Sequence, residues 1–143
     1  MNRSELRDVI VKVLYQTYIY DDKNISYNIN SLIKENLETE NDFVLHAIKY
    51  VKENQNAIND MANKYMKDWN IDRLSKVDKA IISLAIYELN NEETPDIVAI
   101  NEAIELSKKY SDEKVTKLIN GVLDTIMHNE DENEWQIFKC VSN

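Results

Sequence analysis

Residues 2–18 read NRSELRDVIVKVLYQTY, and within them Leu6, Val9, Ile10, Val13 and Leu14 recur three and four positions apart. That spacing gathers them on one side of a helix, so the pattern predicts an amphipathic helix over residues 3 to about 20. Asn2, with Glu5 three residues later, reads as its N-cap. Asp21-Asp22-Lys23-Asn24 then breaks the pattern. Ile25, Ile29, Leu32, Ile33 and Leu37 predict a second helix, and Glu38 to Asp42 a second break. Residues 43–68 carry two apolar stripes, Phe43-Ala47-Ile48-Val51 and Ile58-Met61-Ala62-Tyr65-Met66. Asn54-Gln55-Asn56 lies between them, which predicts two helices or one bent helix.

Further on, Ser75 followed by Asp78 has the form of a capping box. Val77, Ile81, Leu84, Ala85 and Leu89 are the predicted buried stripe of the helix it opens. Thr94-Pro95 reads as N-cap and first helical position of a helix running to about Tyr110. Within it, Glu105 and Lys109 are spaced for an i,i+4 ion pair. Ser111 reads as the cap of a last helix over 112–127, where Val115, Ile119, Val122, Leu123 and Ile126 share one side. Gly121 falls on the other side with Lys114 and Lys117, and Leu118 lies at the boundary. A glycine inside a helix costs on the order of 1 kcal/mol relative to alanine. Either a closely packed helix or a partner approaching the backbone would offset that cost. Residues 128–143 form an extension that is acidic first and then offers Trp135, Ile137 and Phe138.

Composition sharpens the fold class. One Gly and one Pro in 143 residues weigh against a turn-rich β architecture and favour a single all-α domain. A net charge of −9 argues against a broad, non-specific nucleic-acid binder, which would carry a basic field, though not against a local basic patch. Two such patches are legible. Arg3 and Arg7 sit four apart at a helix start, where backbone N–H groups suit phosphate; the plainer alternative is surface charge beside Glu5 and Asp8. Lys108, Lys109, Lys114 and Lys117 gather around the turn before the last helix. One glycine cannot build a phosphate-cradling loop. A lone Cys140, with His46 and His128 far apart, gives no metal signature. No catalytic constellation, cofactor or metal is therefore expected. No apolar run reaches the roughly 20 residues of a membrane span, and no secretory pattern opens the chain, so the expected location is the cytoplasm.

Three stretches then carry a resemblance: WNIDRLSKVDKAIISLAIYEL (69–89), VAINEAIELSKKY (98–110) and INGVLD (119–124). With RDVIVKVLYQTY (7–18) they resemble the NusB family of bacterial transcription antitermination factors over most of residues 3–127. The resemblance implies an all-α fold of about seven helices in two small bundles packed as one domain, the first about 1–68 and the second about 69–127. It implies a non-enzymatic adaptor that pairs with the small-subunit ribosomal protein NusE and binds boxA-type RNA. The complex acts on RNA polymerase during ribosomal RNA transcription, and some relatives form homodimers.

Carried over residue by residue, the resemblance implies electrostatic RNA contacts at Arg3, Arg7, Lys114 and Lys117, and base contacts near Leu118 and Tyr15. Asn101, Glu102, Asn120 and Gly121 also match, as structural residues or as the partner interface. Ser4 and Glu5 stand where many relatives are basic. Leu118 stands where many have Phe, and Tyr110-Ser111 replaces a Phe-Gly pair. The alternative is a protein–protein adaptor of the same fold with little intrinsic affinity for RNA.

Overall fold

The computed structural model describes residues 1–129 together with Trp135 and Phe138. The rest of the expected acidic extension, Ile137 included, lies outside the described residues. Seven α-helices follow in order: α1 (Arg3–Asp22), α2 (Ile29–Asn36), α3 (Asp42–Glu53), α4 (Gln55–Lys64), α5 (Lys76–Leu89), α6 (Asp96–Tyr110) and α7 (Glu113–Asn129). A short 3-10 turn, Ile71–Arg73, precedes α5, and no strand occurs among the described residues. The all-α expectation holds.

Several helix starts are set by side-chain caps, each satisfying a backbone N–H that the helix leaves open, whereas α4 and α6 begin without one. Asn2 Oδ1 accepts from Glu5 N–H at 2.8 Å, Asn41 Oδ1 from Val44 N–H at 3.1 Å and Ser75 Oγ from Asp78 N–H at 3.1 Å. The second helix starts four residues later than its apolar pattern predicts. Asn24 turns the chain with φ 56°, and Asn28 Oδ1 caps the helix by accepting from Ser31 N–H, so Ile25 is left outside and exposed. Residues 43–68 form two helices, broken at Asn54, whose side-chain amide donates to the Tyr50 carbonyl.

Two other predicted caps shift by one residue. Pro95 itself is the N-cap of α6, and the Thr94 hydroxyl is used elsewhere, donating to Glu88. Asp112 caps α7 by accepting from Val115 N–H, while Ser111 donates its hydroxyl to Asp78. The Asp78 carboxylate thus ties the α6–α7 corner to α5 rather than closing a capping box.

Helix α5 lies at the centre, against α1, α3, α4, α6 and α7. The stripe predicted for it understates its burial: every residue from Ala80 to Leu89 is buried. A helix apolar on all sides belongs inside a core, and AIISLAIYEL is such a run apart from Ser83, Tyr87 and Glu88. Those polar groups are satisfied. Gln55 Nε2 donates to Ser83 Oγ at 3.1 Å, and Tyr18 OH donates to Gln55 Oε1 at 2.6 Å. His46 Nδ1 lies 2.8 Å from Tyr87 OH, and Glu88 is paired with Arg7. Ile119, Val122, Leu123 and Ile126 of α7 are buried and Val115 is half-buried, as their spacing predicts. Phe138 stacks on Tyr50 with ring centroids 6.0 Å apart, so one residue of the C-terminal extension covers part of α3.

Candidate nucleic-acid interface

The predicted arginine pair separates in three dimensions. Arg7 is only 4% exposed, and its Nε and Nη2 donate to the two carboxylate oxygens of Glu88 at 2.8–3.1 Å. Its Nη1 also lies 3.6 Å from Glu102. Arg7 is therefore a structural ion pair between α1 and α5, which corrects both its assignment to RNA and the surface-charge alternative. The physical reason is that α1 turns this position toward the buried Glu88, and a buried charge needs a partner. Arg3 is exposed, with its guanidinium 4.0 Å above the Phe43 ring.

Glu102 likewise serves the fold, accepting from Ser4 Oγ at 2.8 Å and joining α6 to α1. Asn101, Asn120 and Gly121 are all exposed. A Cβ built on Gly121 meets nothing within 4 Å, so close helix packing does not account for the glycine. On α7, Lys117 pairs loosely with Glu113 at 3.7 Å, and the Lys114 ammonium sits 5.3 Å over the Trp69 ring. Leu118 is half-buried and packs on the core, so part of its side chain is not open to a base.

What the fold brings beside α1 is the end of α6. Asp8 collects three donors there. Lys109 Nζ lies 3.2 Å and Tyr110 OH 2.5 Å from Oδ1, and Lys12 Nζ lies 3.2 Å from Oδ2. The i,i+4 spacing predicts a Glu105–Lys109 pair. Lys109 takes Asp8 instead, whose side chain is 18% exposed against 69% for Glu105, and Lys108 takes Glu105 at 3.4 Å. The less solvated carboxylate is the stronger partner. Burial alone would raise the Asp8 pKa, but hydrogen bonds from Tyr110, Lys12 and Lys109 outweigh it and hold the carboxyl below its ordinary value. The hydrogen bond to Asp8 correspondingly raises the Lys109 pKa.

Next to this cluster runs a groove of about 350 Å³ lined by Val11, Lys12, Tyr15, Gln16, Asn36, Val77 and Tyr110. Tyr15 and Tyr110 are each 38% exposed. The groove's exposed lining is mostly apolar, with two tyrosine rings and Lys12 in the wall and Lys109 held beside it on Asp8, an arrangement of the kind that would suit a base against the rings and a phosphate against the ammonium groups. Tyr15 was named from the sequence. Lys109 falls in the second basic patch, while Lys12 and Tyr110 carry no RNA assignment in the sequence, where the signal for this end of α6 is slight: a basic-aromatic run, KKY, at a helix end.

Among the described residues, no group of three His, Cys, Asp or Glu side chains is placed to hold a metal, and no helix is long and apolar enough to cross a membrane.

Comparison with known proteins adds three findings. The model of the NusB family matches residues 4–128. The chain is 36% identical to the transcription antitermination protein NusB of Clostridium kluyveri, covering 91% of this chain and 97% of that one. It is 40% identical to the protein of the same name from Clostridium botulinum strain Alaska E43, covering 89% and 98%. Among solved structures, T. maritima NusB superposes with a TM-score of 0.80 at 31% identity, over 95% of this chain and 98% of that chain. A chain of a crystal structure of the antitermination factors NusB and NusE in complex with dsRNA superposes with a TM-score of 0.73 at 26% identity, over 90% and 97%.

Proposed function

The chain belongs to the NusB family, and on that premise we propose that it is a cytoplasmic transcription antitermination factor that holds boxA-type RNA together with NusE. The pair joins the antitermination complex on RNA polymerase and supports ribosomal RNA transcription. The observation that carries the RNA half of this reading is the aromatic groove between α1 and the end of α6, rimmed by Lys12 and Lys109. Bases lie against Tyr15 and Tyr110, and phosphates meet Lys12, Lys109 and Arg3. Lys114 and Lys117 extend the cationic surface along α7. Asn101, Asn120 and the open backbone at Gly121 belong to the protein partner's contact.

A protein-only adaptor is the rival reading, favoured by the net charge of −9 and by the loss of Arg7 to Glu88. Titration of boxA-like RNA with this protein, with and without NusE and at several salt concentrations, separates the two. The complex is expected to prefer boxA-like RNA over a scrambled sequence, with affinity falling as salt rises. Equal affinity for both RNAs would leave the adaptor reading in place.

A further inference from the structure

We propose that Asp8 is a built-in competitor for RNA phosphate, a carboxylate that occupies the cationic end of the groove in the free protein and sets how tightly RNA is held. The inference rests on the RNA-binding reading above and adds a control element to the same site. Its basis is convergence. Lys109 and Lys12 each lie 3.2 Å from an Asp8 oxygen, and Tyr110 donates to the same Oδ1 that faces Lys109. Two cations and a hydroxyl around one anionic oxygen pair are the donor set that a phosphate oxygen pair would take. The lysines are more than half exposed while Asp8 is mostly covered, so the cations remain reachable and only their counter-charge is internal.

An arriving phosphate therefore meets lysines already engaged, with a fixed negative charge behind them. Each must swing from Asp8 or share it, and Tyr110 must release its hydroxyl before its ring can reorient toward a base. The other exposed cation nearby, Lys108, is held by Glu105 at 3.4 Å and does not relieve Asp8. The consequence is a site that grips RNA weakly alone and well only when a partner protein holds the RNA from another side.

The test measures the affinity of single-stranded boxA-like RNA against salt for wild type, Asp8→Asn and a Lys12→Ala/Lys109→Ala double variant, each with and without NusE. Circular dichroism checks the fold. If Asp8→Asn does not fold, Asp8→Ala takes its place at this helical, solvent-edge position. Asp8→Asn is expected to bind without NusE about fivefold more tightly at low salt, the effect of removing one like charge near contact distance. Its plot of log affinity against log salt should steepen by about 0.7 for each phosphate newly neutralised. The double lysine variant should bind more weakly.

A folded Asp8→Asn protein whose RNA affinity is unchanged or reduced, beside a weakened lysine variant, overturns the competitor role and leaves the RNA site intact. If neither variant differs from wild type, the groove is not where RNA binds, and both the site and the competitor fall. The wild-type comparison of boxA-like with scrambled RNA reports separately on the antitermination reading.

Discussion

The Arg7 guanidinium and the Glu88 carboxylate, 81 residues apart in sequence, meet side by side in the interior with a shortest contact of 2.8 Å. Their side chains are 5% and 1% exposed, and Thr94 and Glu102 supply further polar contacts. The pair fixes the roll of α1 on α5, and with it which residues of α1 face the groove.

Removing one partner should leave a buried charge unmatched. Arg7→Ala or Glu88→Ala is expected to destabilise the fold by about 3–5 kcal/mol. The joint replacement Arg7→Met/Glu88→Leu should cost far less, because no charge is then stranded. Urea unfolding measures both. The joint variant should also keep its RNA affinity; a stable joint variant that no longer binds RNA would return Arg7 to the RNA contacts.

Tyr15 and Tyr110 are expected to act as stacking surfaces. Tyr15→Ala or Tyr110→Ala should each cost about 1–3 kcal/mol of RNA binding in the presence of NusE, with Tyr15→Phe nearly neutral. Fluorescence titration with boxA-like RNA reads this out. Equal losses for Tyr15→Phe and Tyr15→Ala would point to the hydroxyl rather than the ring.

Gly121 offers a test in which stability and binding move in opposite directions. Its Cβ position is empty and it lies mid-helix, so Gly121→Ala should stabilise the isolated protein by about 1 kcal/mol in thermal unfolding. The same change should weaken association with NusE, measured by calorimetry. A protein that gains stability and binds NusE as before would remove Gly121 from the interface.

Asp8 has a depressed pKa in the folded state because its three hydrogen-bond donors outweigh its burial. The sign follows from linkage: its contribution is fully present above the unfolded value of about 3.9 and is lost as pH falls through the lower folded value. Urea midpoints measured from neutral pH downward should therefore fall less steeply for Asp8→Asn than for wild type. Parallel curves would show that the cluster does not persist in solution.

The helices, the caps at Asn2 and Ser75 and the family were legible in the chain itself. Apolar spacing and Asn or Ser caps are local, acting over three or four residues, so Asn2, Ser75 and the α7 stripe could be read directly. The NusB resemblance rested on contiguous segments for the same reason. Local reading failed where a side chain had a choice of partners. Thr94 and Ser111 resemble caps, yet their hydroxyls go to Glu88 and Asp78, which the fold carries to them.

The functional surface depended on that choice most of all. Arg3 and Arg7 are equivalent by spacing, but packing placed one under α5 and left the other at the surface. Asp8 and Lys109 are 101 residues apart, and nothing local to either predicts that they touch. Sequence thus determined where helices form and which family they build, because those follow from short-range periodicity and contiguous motifs. Which charges are consumed internally and which remain at the surface was decided only by tertiary packing, since an ion pair depends on distance and burial rather than on position along the chain.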